Sequence, residues 1–245
     1  KADAWDSGKV SGERPFGIRY GGRRPESRER IYWRVMAWDD CGQQTDWSEA
    51  AWFEMGLLEE TDWEARWIGR HKEEDATPLF RKSFHVKEGE IKKARLYGCG
   101  LGLADVFLNG EKTDRDYYEP WDSDYRKTVY YKTWSLDGKL RPGENVLGFW
   151  LGNGQYRNYE EVCTLPARYQ KTDGWREKDS GFYGDAKGIF QLEIWYGDGS
   201  VQRVVTDESW QGRPGPVTFS EIYDGECYDA RLEREVWPGG ADGCG

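Results

Sequence analysis

Between Ala104 and Tyr131 the chain reads ADVFLNGEKTDRDYYEPWDSDYRKTVYY, with seven carboxylates and seven aromatic rings in one segment. Two carboxyls about 6.5–9.5 Å apart can hydrolyse a glycosidic bond with inversion, one protonating the leaving group and one activating water. Carboxylates beside rings can also simply hold a sugar, whose C–H faces stack on a ring while its hydroxyls donate to oxygens. Oxygen-rich loops suit a hard cation as well. An exposed β-hairpin with its exit loop has the same composition. The elements around the segment decide among these chemistries.

For sugar binding the candidates are Asp116, Tyr117, Tyr118, Glu119 and Trp121 in this segment. Asn153, Tyr156 and Asn158 in GNGQYRNYE, where a strand runs out into a loop, join them. The alternative is that these rings pack beneath loops as lids on the core. Asp114 and Asp116 are the candidate calcium ligands. TDRDYYEPWDSD is not an EF-hand, since counting from Asp114 it has neither Gly at the sixth position nor Glu at the twelfth. A loop simply solvated by water is the competing reading. Hydrolysis is not expected, because acids on an exposed connection face water and keep ordinary pKa values. The catalytic set is therefore empty. Only two histidines occur, His71 and His85, which argues against His-based metal sites and Ser-His-Asp chemistry. His85 alternates with Phe84 and Val86 and should point outward from a strand.

Strands must carry this segment. Aromatics make up 16% of the chain, with 31 glycines, while a third of the residues are charged. Such a chain builds its core from large rings on short strands, not from leucine-rich helices. Period-two patterns dominate, and almost no stretch holds helical apolar spacing over three turns. IYWRVMAWDD (Ile31–Asp40) and WSEAAWFEMGL (Trp47–Leu57) read as paired strands. Asn109-Gly110 is a hairpin turn whose two residues both need positive φ. Gly197-Asp198-Gly199 closes a later hairpin. In LRPGENVLGFWLGNG, Pro142-Gly143 presets a turn, Asn145 can satisfy loop backbone, and Leu147, Phe149 and Leu151 share the core face.

The class is all-β, as two β-sandwich domains. A module over residues 1–58 precedes a second sandwich over 63–236, and 237–245 form a tail. Barely sixty residues precede the boundary, and an immunoglobulin-like sandwich takes about 100, so the first module is expected to lack its first strands. A net charge of −10 argues against nucleic acid and against anionic membrane surfaces. No apolar run reaches the ~20 residues of a membrane-spanning helix, and KADAWDSGKV is no signal peptide. Cys41, Cys99, Cys163, Cys227 and Cys244 are scattered without paired spacing, which fits free thiols in a reducing compartment. A bacterial cytoplasmic location is expected, with an extracellular one as the alternative.

Two groups of motifs carry a family resemblance. AWDSGKV with RIYWRVMAWDDCGQQTDWSEAAWFEMGLL resembles the later strands of the fibronectin type III-like module of bacterial α-L-rhamnosidases, with Tyr32 placed like a sandwich corner tyrosine. ARWIG, LYGCGLGLADVFLNGEKT, YYEPWDSDYRKTVYYKTW, LRPGENVLGFWLGNGQY and TDESWQGRPGPVTFSEIYDGECYDARLE, in that order, resemble the rhamnosidase N-terminal domain, a galactose-binding-like jelly roll. The ordered set, ending in GECYDAR (Gly225–Arg231), is specific, although LNG and PGENVL also occur in sugar-binding domains of β-galactosidase-like enzymes. The resemblance implies a glycoside hydrolase of family 78, an inverting enzyme that removes terminal L-rhamnose with acids on a separate α/α barrel. No helical repeat of that barrel occurs in this chain. DGWREKD at residues 173–179 has Glu177-Lys178 where the barrel pattern would place Asp-Glu. The implied role is recognition of rhamnosyl carbohydrate on behalf of the barrel, calcium being a candidate cofactor because some related domains bind rhamnose through it. A spacer that packs on the barrel without binding sugar is the alternative. The chain departs from the family where Gln155 stands before Tyr156 in place of Trp, and where PWDSDY (Pro120–Tyr125) replaces PGWTDY.

Overall fold

The structure is a computed structural model, and it describes residues 3–12, 16–69, 77–157, 183–222 and 225–233. His71, Cys163, Cys244, Asn158, the 173–179 segment and the 237–245 tail lie outside the described residues. The chain divides into two compact units, 1–62 and 63–245.

In the first unit β1 (Arg30–Trp33) pairs antiparallel with β2 (Ala51–Glu54). Both strands are shorter than the alternation predicts, and side chains explain why. The Val35 amide donates to the Ser48 hydroxyl (3.0 Å) and the Ala37 amide to the Thr45 hydroxyl (3.1 Å), where a regular ladder would offer carbonyls. Short hydroxyl side chains thus divert the backbone from the sheet. Tyr32 is 64% exposed, so it does not act as a buried corner tyrosine: such a ring needs a second sheet to lie against, and the described residues of this unit form one two-stranded sheet and an isolated Trp38–Gln44 bridge.

Asp62 ties the end of this unit to its middle. It accepts from the Ser27 hydroxyl (2.5 Å), the Arg28 guanidinium (2.7 Å) and the amides of Leu58 and Glu59 (3.1 and 3.0 Å). Burial pushes the carboxyl's pKa up, but the hydroxyl, the guanidinium and the Glu59 amide outweigh it and hold the group down at about 2. Stabilisation from a lowered carboxyl is complete above the unfolded value near 4 and is lost as pH falls through the folded value. We therefore expect Asp62→Asn to cost about 2 kcal/mol at pH 7 and almost nothing near pH 2. Denaturant melts of both proteins across that range check this, and a penalty that did not shrink in acid would refute the assignment.

The second unit is a sandwich of two five-stranded antiparallel sheets. One runs β11 (Val201–Val205), β10 (Lys187–Tyr196), β5 (Ile91–Leu101), β8 (Lys132–Ser135), with β3 (Ile68–Gly69) also on β10. The other runs β12 (Gln211–Pro214), β4 (Pro78–Val86), β9 (Gly143–Gly152), β6 (Leu103–Leu108), β7 (Glu111–Lys112). A small hairpin of β13 (Val217–Glu221) and β14 (Gly225–Tyr228) follows. Rings fill the space between the sheets. Phe149, fully buried, has its centroid 4.3 Å from Phe190, 5.0 Å from Phe80 and 5.3 Å from Trp210. Leu147 and Leu151 share its face, as the alternation predicts.

Both expected turns form. Asn109 and Gly110 have φ of 52° and 88° between β6 and β7, and Gly199 has φ of 84° between β10 and β11. His85 is exposed on β4. The acid- and ring-rich segment 113–131 therefore leaves one sheet at β7 and enters the other at β8.

Candidate functional site

Four anchors hold the crossing segment. The Ala104 amide donates to the Glu119 carbonyl (2.8 Å), fastening the loop to the start of β6. The Lys112 ammonium donates to the Asp116 carbonyl (3.0 Å), pairs with Asp105 (2.7 Å) and lies 4.9 Å from the centre of the Tyr117 ring. From β8, the Lys132 ammonium reaches Asp114, Asp116 and Glu119 at 3.0, 2.6 and 3.4 Å. Trp134, whose ring is buried in the core, donates its indole N–H to Asp114.

This geometry bears directly on the calcium candidates. Asp114 and Asp116 do converge, as their spacing allows, but on a lysine ammonium supplied by the opposite sheet. A hard cation needs six to eight oxygens. Among the described residues no group of three or more His, Cys, Asp or Glu is arranged to hold a metal. The acids do not all keep ordinary pKa values. Burial raises that of Asp114, but Lys132 and Trp134 overcome it and the net shift is downward. Asp124 is held at about 2 by Lys127 and Arg126. A general acid needs the reverse shift, so these two carboxyls are tuned away from protonating a leaving group.

The candidate sugar ligands separate into two sets. Tyr117, Tyr118 and Trp121 are 79%, 69% and 76% exposed on the anchored loop, beside Asp116 and Glu119. Tyr118 has φ of 60°, a conformation that costs a bulky residue energy and persists only when the surroundings impose it. Asn153 and Tyr156, by contrast, are 2% and 6% exposed. The Asn153 amide group donates to the Ser220 carbonyl (2.7 Å), and Tyr156 packs with Tyr125 and Tyr183 (centroids 5.1 and 5.8 Å) over Cys99 and Leu101. Burial pushes the Cys99 thiol up to about 12 and raises the Tyr125 and Tyr156 phenols, as expected of a closed lid. These two residues are core.

One cleft opens against the anchored loop, with a volume of about 290 Å³. Tyr117, Tyr118 and Glu119 line one side of it. Its floor is the outer face of the second sheet, where Leu103 lies beside the cross-strand neighbours Asp105 and Trp150. Val217, Ser220 and Glu226, from the β13–β14 hairpin, also line it. The Trp150 ring is fixed: its N–H donates to the Thr77 hydroxyl (2.7 Å), and that hydroxyl donates to the Val217 carbonyl (3.1 Å). Trp150 and Glu226 are not among the residues singled out in sequence. The signal for Trp150 was present, because a strand with Leu147, Phe149 and Leu151 inward must turn Trp150 outward. Glu226 belongs to GECYDAR, all of whose strand residues are exposed.

Comparison with known proteins agrees with this architecture. Residues 89–241 match the family model for the α-L-rhamnosidase N-terminal domain, and residues 1–59 match that for the Rha78A-like N-terminal immunoglobulin domain. An α-L-rhamnosidase of Formosa agariphila is 34% identical over 96% of this chain and 26% of its own length. One from Alteromonas sp. is 33% identical over 96% of this chain and 25% of its own. The solved α-L-rhamnosidase named from Dictyoglumus thermophilum superposes with a TM-score of 0.80 at 32% identity, covering 96% of this chain and 26% of that one. The chain spans about a quarter of the length of the curated relatives it matches. With well over half of its residues inside the first of these matches, the chain belongs to the α-L-rhamnosidase N-terminal domain family, preceded by an immunoglobulin-like module.

Proposed function

We propose that this chain is the non-catalytic N-terminal region of an α-L-rhamnosidase and that its anchored loop helps recognise rhamnose-containing glycosides for the catalytic barrel. The observation that carries the reading is the exposure of Tyr117, Tyr118 and Trp121 on a loop fixed by Lys112 and Lys132. Rings of that size are ordinarily withdrawn from water. A loop ordered beforehand loses little entropy on binding, so even a weak stacking contact registers as affinity. Carboxylates alongside supply acceptors for hydroxyl groups.

Packing of Asn153 and Tyr156 into the core favours a second reading, a spacer that supports the barrel and binds no sugar. Titration of the chain with L-rhamnose and a rhamnosyl disaccharide, followed by chemical shifts of the indole N–H groups, separates the two. We expect saturable binding with Kd on the order of 1 mM. Trp121→Ala should weaken it about tenfold, and the result should be the same in calcium and in EDTA, because the Lys132 ammonium already bridges Asp114 and Asp116. The absence of any shift would leave the spacer. Binding that required calcium would contradict the lysine-centred geometry.

A further inference from the structure

We propose that residues 63–66, which lead from the first unit into β3, form a releasable strap, latched on the outer face of the first sheet by Gln191, Glu193 and Arg203. Docked, the strap fixes the point at which the chain of the immunoglobulin-like module joins the sandwich. Released, it turns that junction into a free tether.

Alternation along β10 exposes the oddity that the strap resolves. In KGIFQLEIWY the side chains of Phe190, Leu192 and Ile194 enter the core, so Gln191 and Glu193 turn to the opposite face. Polar residues on the outer face of a sheet ordinarily stand in water. Both of these are completely buried. Burying a carboxamide and a carboxyl is costly unless hydrogen bonds replace the lost water. The strap and the neighbouring strand supply them. Gln191 Oε1 accepts from the backbone amides of Glu64 (2.7 Å) and Ala65 (3.2 Å), while its Nε2 donates to Glu193 (2.9 Å). Two N–H donors can meet only an oxygen, so the strap and Glu193 together set which way the Gln191 carboxamide faces. Arg203, directly opposite Glu193 on β11, donates its Nε to that carboxylate (3.1 Å) and pairs through its other end with Glu64 of the strap (3.1 Å). On the other flank Arg95 of β5 is the cross-strand neighbour of Glu193 and pairs with Asp137 (2.7 Å). Glu193 therefore lies in a row of alternating charge, Glu64, Arg203, Glu193, Arg95 and Asp137, with the strap at one end.

The polar character of this contact makes it reversible. Beyond Ala65, the Arg66 amide donates to the Thr206 carbonyl (2.8 Å), and the Thr206 hydroxyl donates to the Arg66 carbonyl (2.6 Å). An aromatic contact accompanies these bonds, Trp63 lying edge-on to Tyr131 with centroids 5.3 Å apart. Opening the strap returns amides, a carboxylate and a guanidinium to water, whereas parting the two sheets would expose Phe149 and Phe190. A segment held by groups that water can satisfy opens at a lower free energy than the whole domain.

Native-state hydrogen exchange on the whole chain, read amide by amide, tests this. In the wild type the Glu64, Ala65 and Arg66 amides should exchange at least about tenfold faster than that of Leu192 in β10. Gln191→Leu should widen the gap about tenfold further. Arg66 is the discriminating reporter, because its amide bonds Thr206 and not the substituted side chain, so it accelerates only if the strap moves as a unit. Arg203→Met, at an exposed position on the edge strand β11, is the second variant should Gln191→Leu not fold, and it should widen the gap at least about threefold. Strap amides that exchange together with Leu192 in the wild type would overturn the proposal, since the strap would then open only with the domain. So would a Gln191→Leu protein in which Glu64 and Ala65 accelerate and Arg66 does not, or an Arg203→Met protein with an unchanged gap.

Discussion

Gly102→Ala should destabilise the second unit by about 4 kcal/mol or more, enough to leave the variant largely unfolded at physiological temperature. Gly102 separates β5 in one sheet from β6 in the other, so the chain turns the corner of the sandwich on this single residue. Its φ is 103°, outside the range of ordinary side chains. A β-carbon there would sit 2.1 Å from the Gly152 carbonyl oxygen and 2.7 Å from that of Asn153. Those atoms are backbone at the end of β9 and cannot rotate away. Gly154 presses back on the same corner, its own β-carbon position lying 3.1 Å from the Gly102 carbonyl carbon. Gly152→Ala provides the contrast, since its new methyl would meet only the Leu103 β-carbon at an ordinary 3.6 Å, and it should cost under about 1 kcal/mol. Guanidinium melts of the two variants measure the difference. Equal midpoints would mean that the corner can reshape, and the account of it would fail.

That corner also shows how far the sequence could be read. The glycines of LYGCGLGL and LGNGQY mark breaks in two strands, but nothing local says that the breaks touch each other. Alternation identified the core face of β9 because the side-chain period of a strand is a property of the single chain. The turns at Asn109-Gly110 and Gly197–Gly199 were legible for the same reason. What escaped were facts that depend on a second element. Lys132 sits on the opposite sheet, so spacing alone left Asp114 and Asp116 looking like ligands for an external cation. Asn153 and Tyr156 looked like rim residues at a strand exit, and were drawn inward by Ser220 and by Tyr125 and Tyr183 from other segments. The shortened β1 and β2 reflect hydroxyls competing for backbone amides, which a hydropathy pattern does not register. Trp150 was an omission of a different kind. Its outward orientation followed from the alternation, but only the folded hairpin β13–β14 turns an outward tryptophan into the floor of a cleft.

Asn145→Ala should cost about 3 kcal/mol, because the side chain it removes joins two turns that are remote in sequence. Asn145 is fully buried. Its amide nitrogen donates to the carbonyls of Arg141 (2.7 Å) and Gly143 (3.1 Å), closing the turn that begins at Pro142-Gly143. Its carbonyl oxygen accepts from the Arg141 amide (3.3 Å) and from the side chain of Asn109 (3.0 Å). Asn109 in turn accepts the Val146 amide on its side-chain oxygen (2.8 Å) and donates its own amide to the Val146 carbonyl (2.8 Å). Alanine at 145 leaves four polar groups without this partner around a fully buried position. Asn145→Asp preserves the shape and loses both donors, so it should be nearly as costly at neutral pH, whereas an isosteric filler would rescue it if packing were the whole role. Asn109→Ala should cost about 2 kcal/mol, part of it from the positive φ that asparagine tolerates better than alanine. If LNG and PGEN form one device, the double variant will cost about 1 kcal/mol less than the sum of the singles, because the shared hydrogen bond can be lost only once. Additivity within the usual few tenths of a kcal/mol would show two independent turns. The coupling is the physical reason the two short motifs occur together in this sandwich, and it places their function in holding β6 beside β9, the two strands whose outer faces carry Asp105 and Trp150.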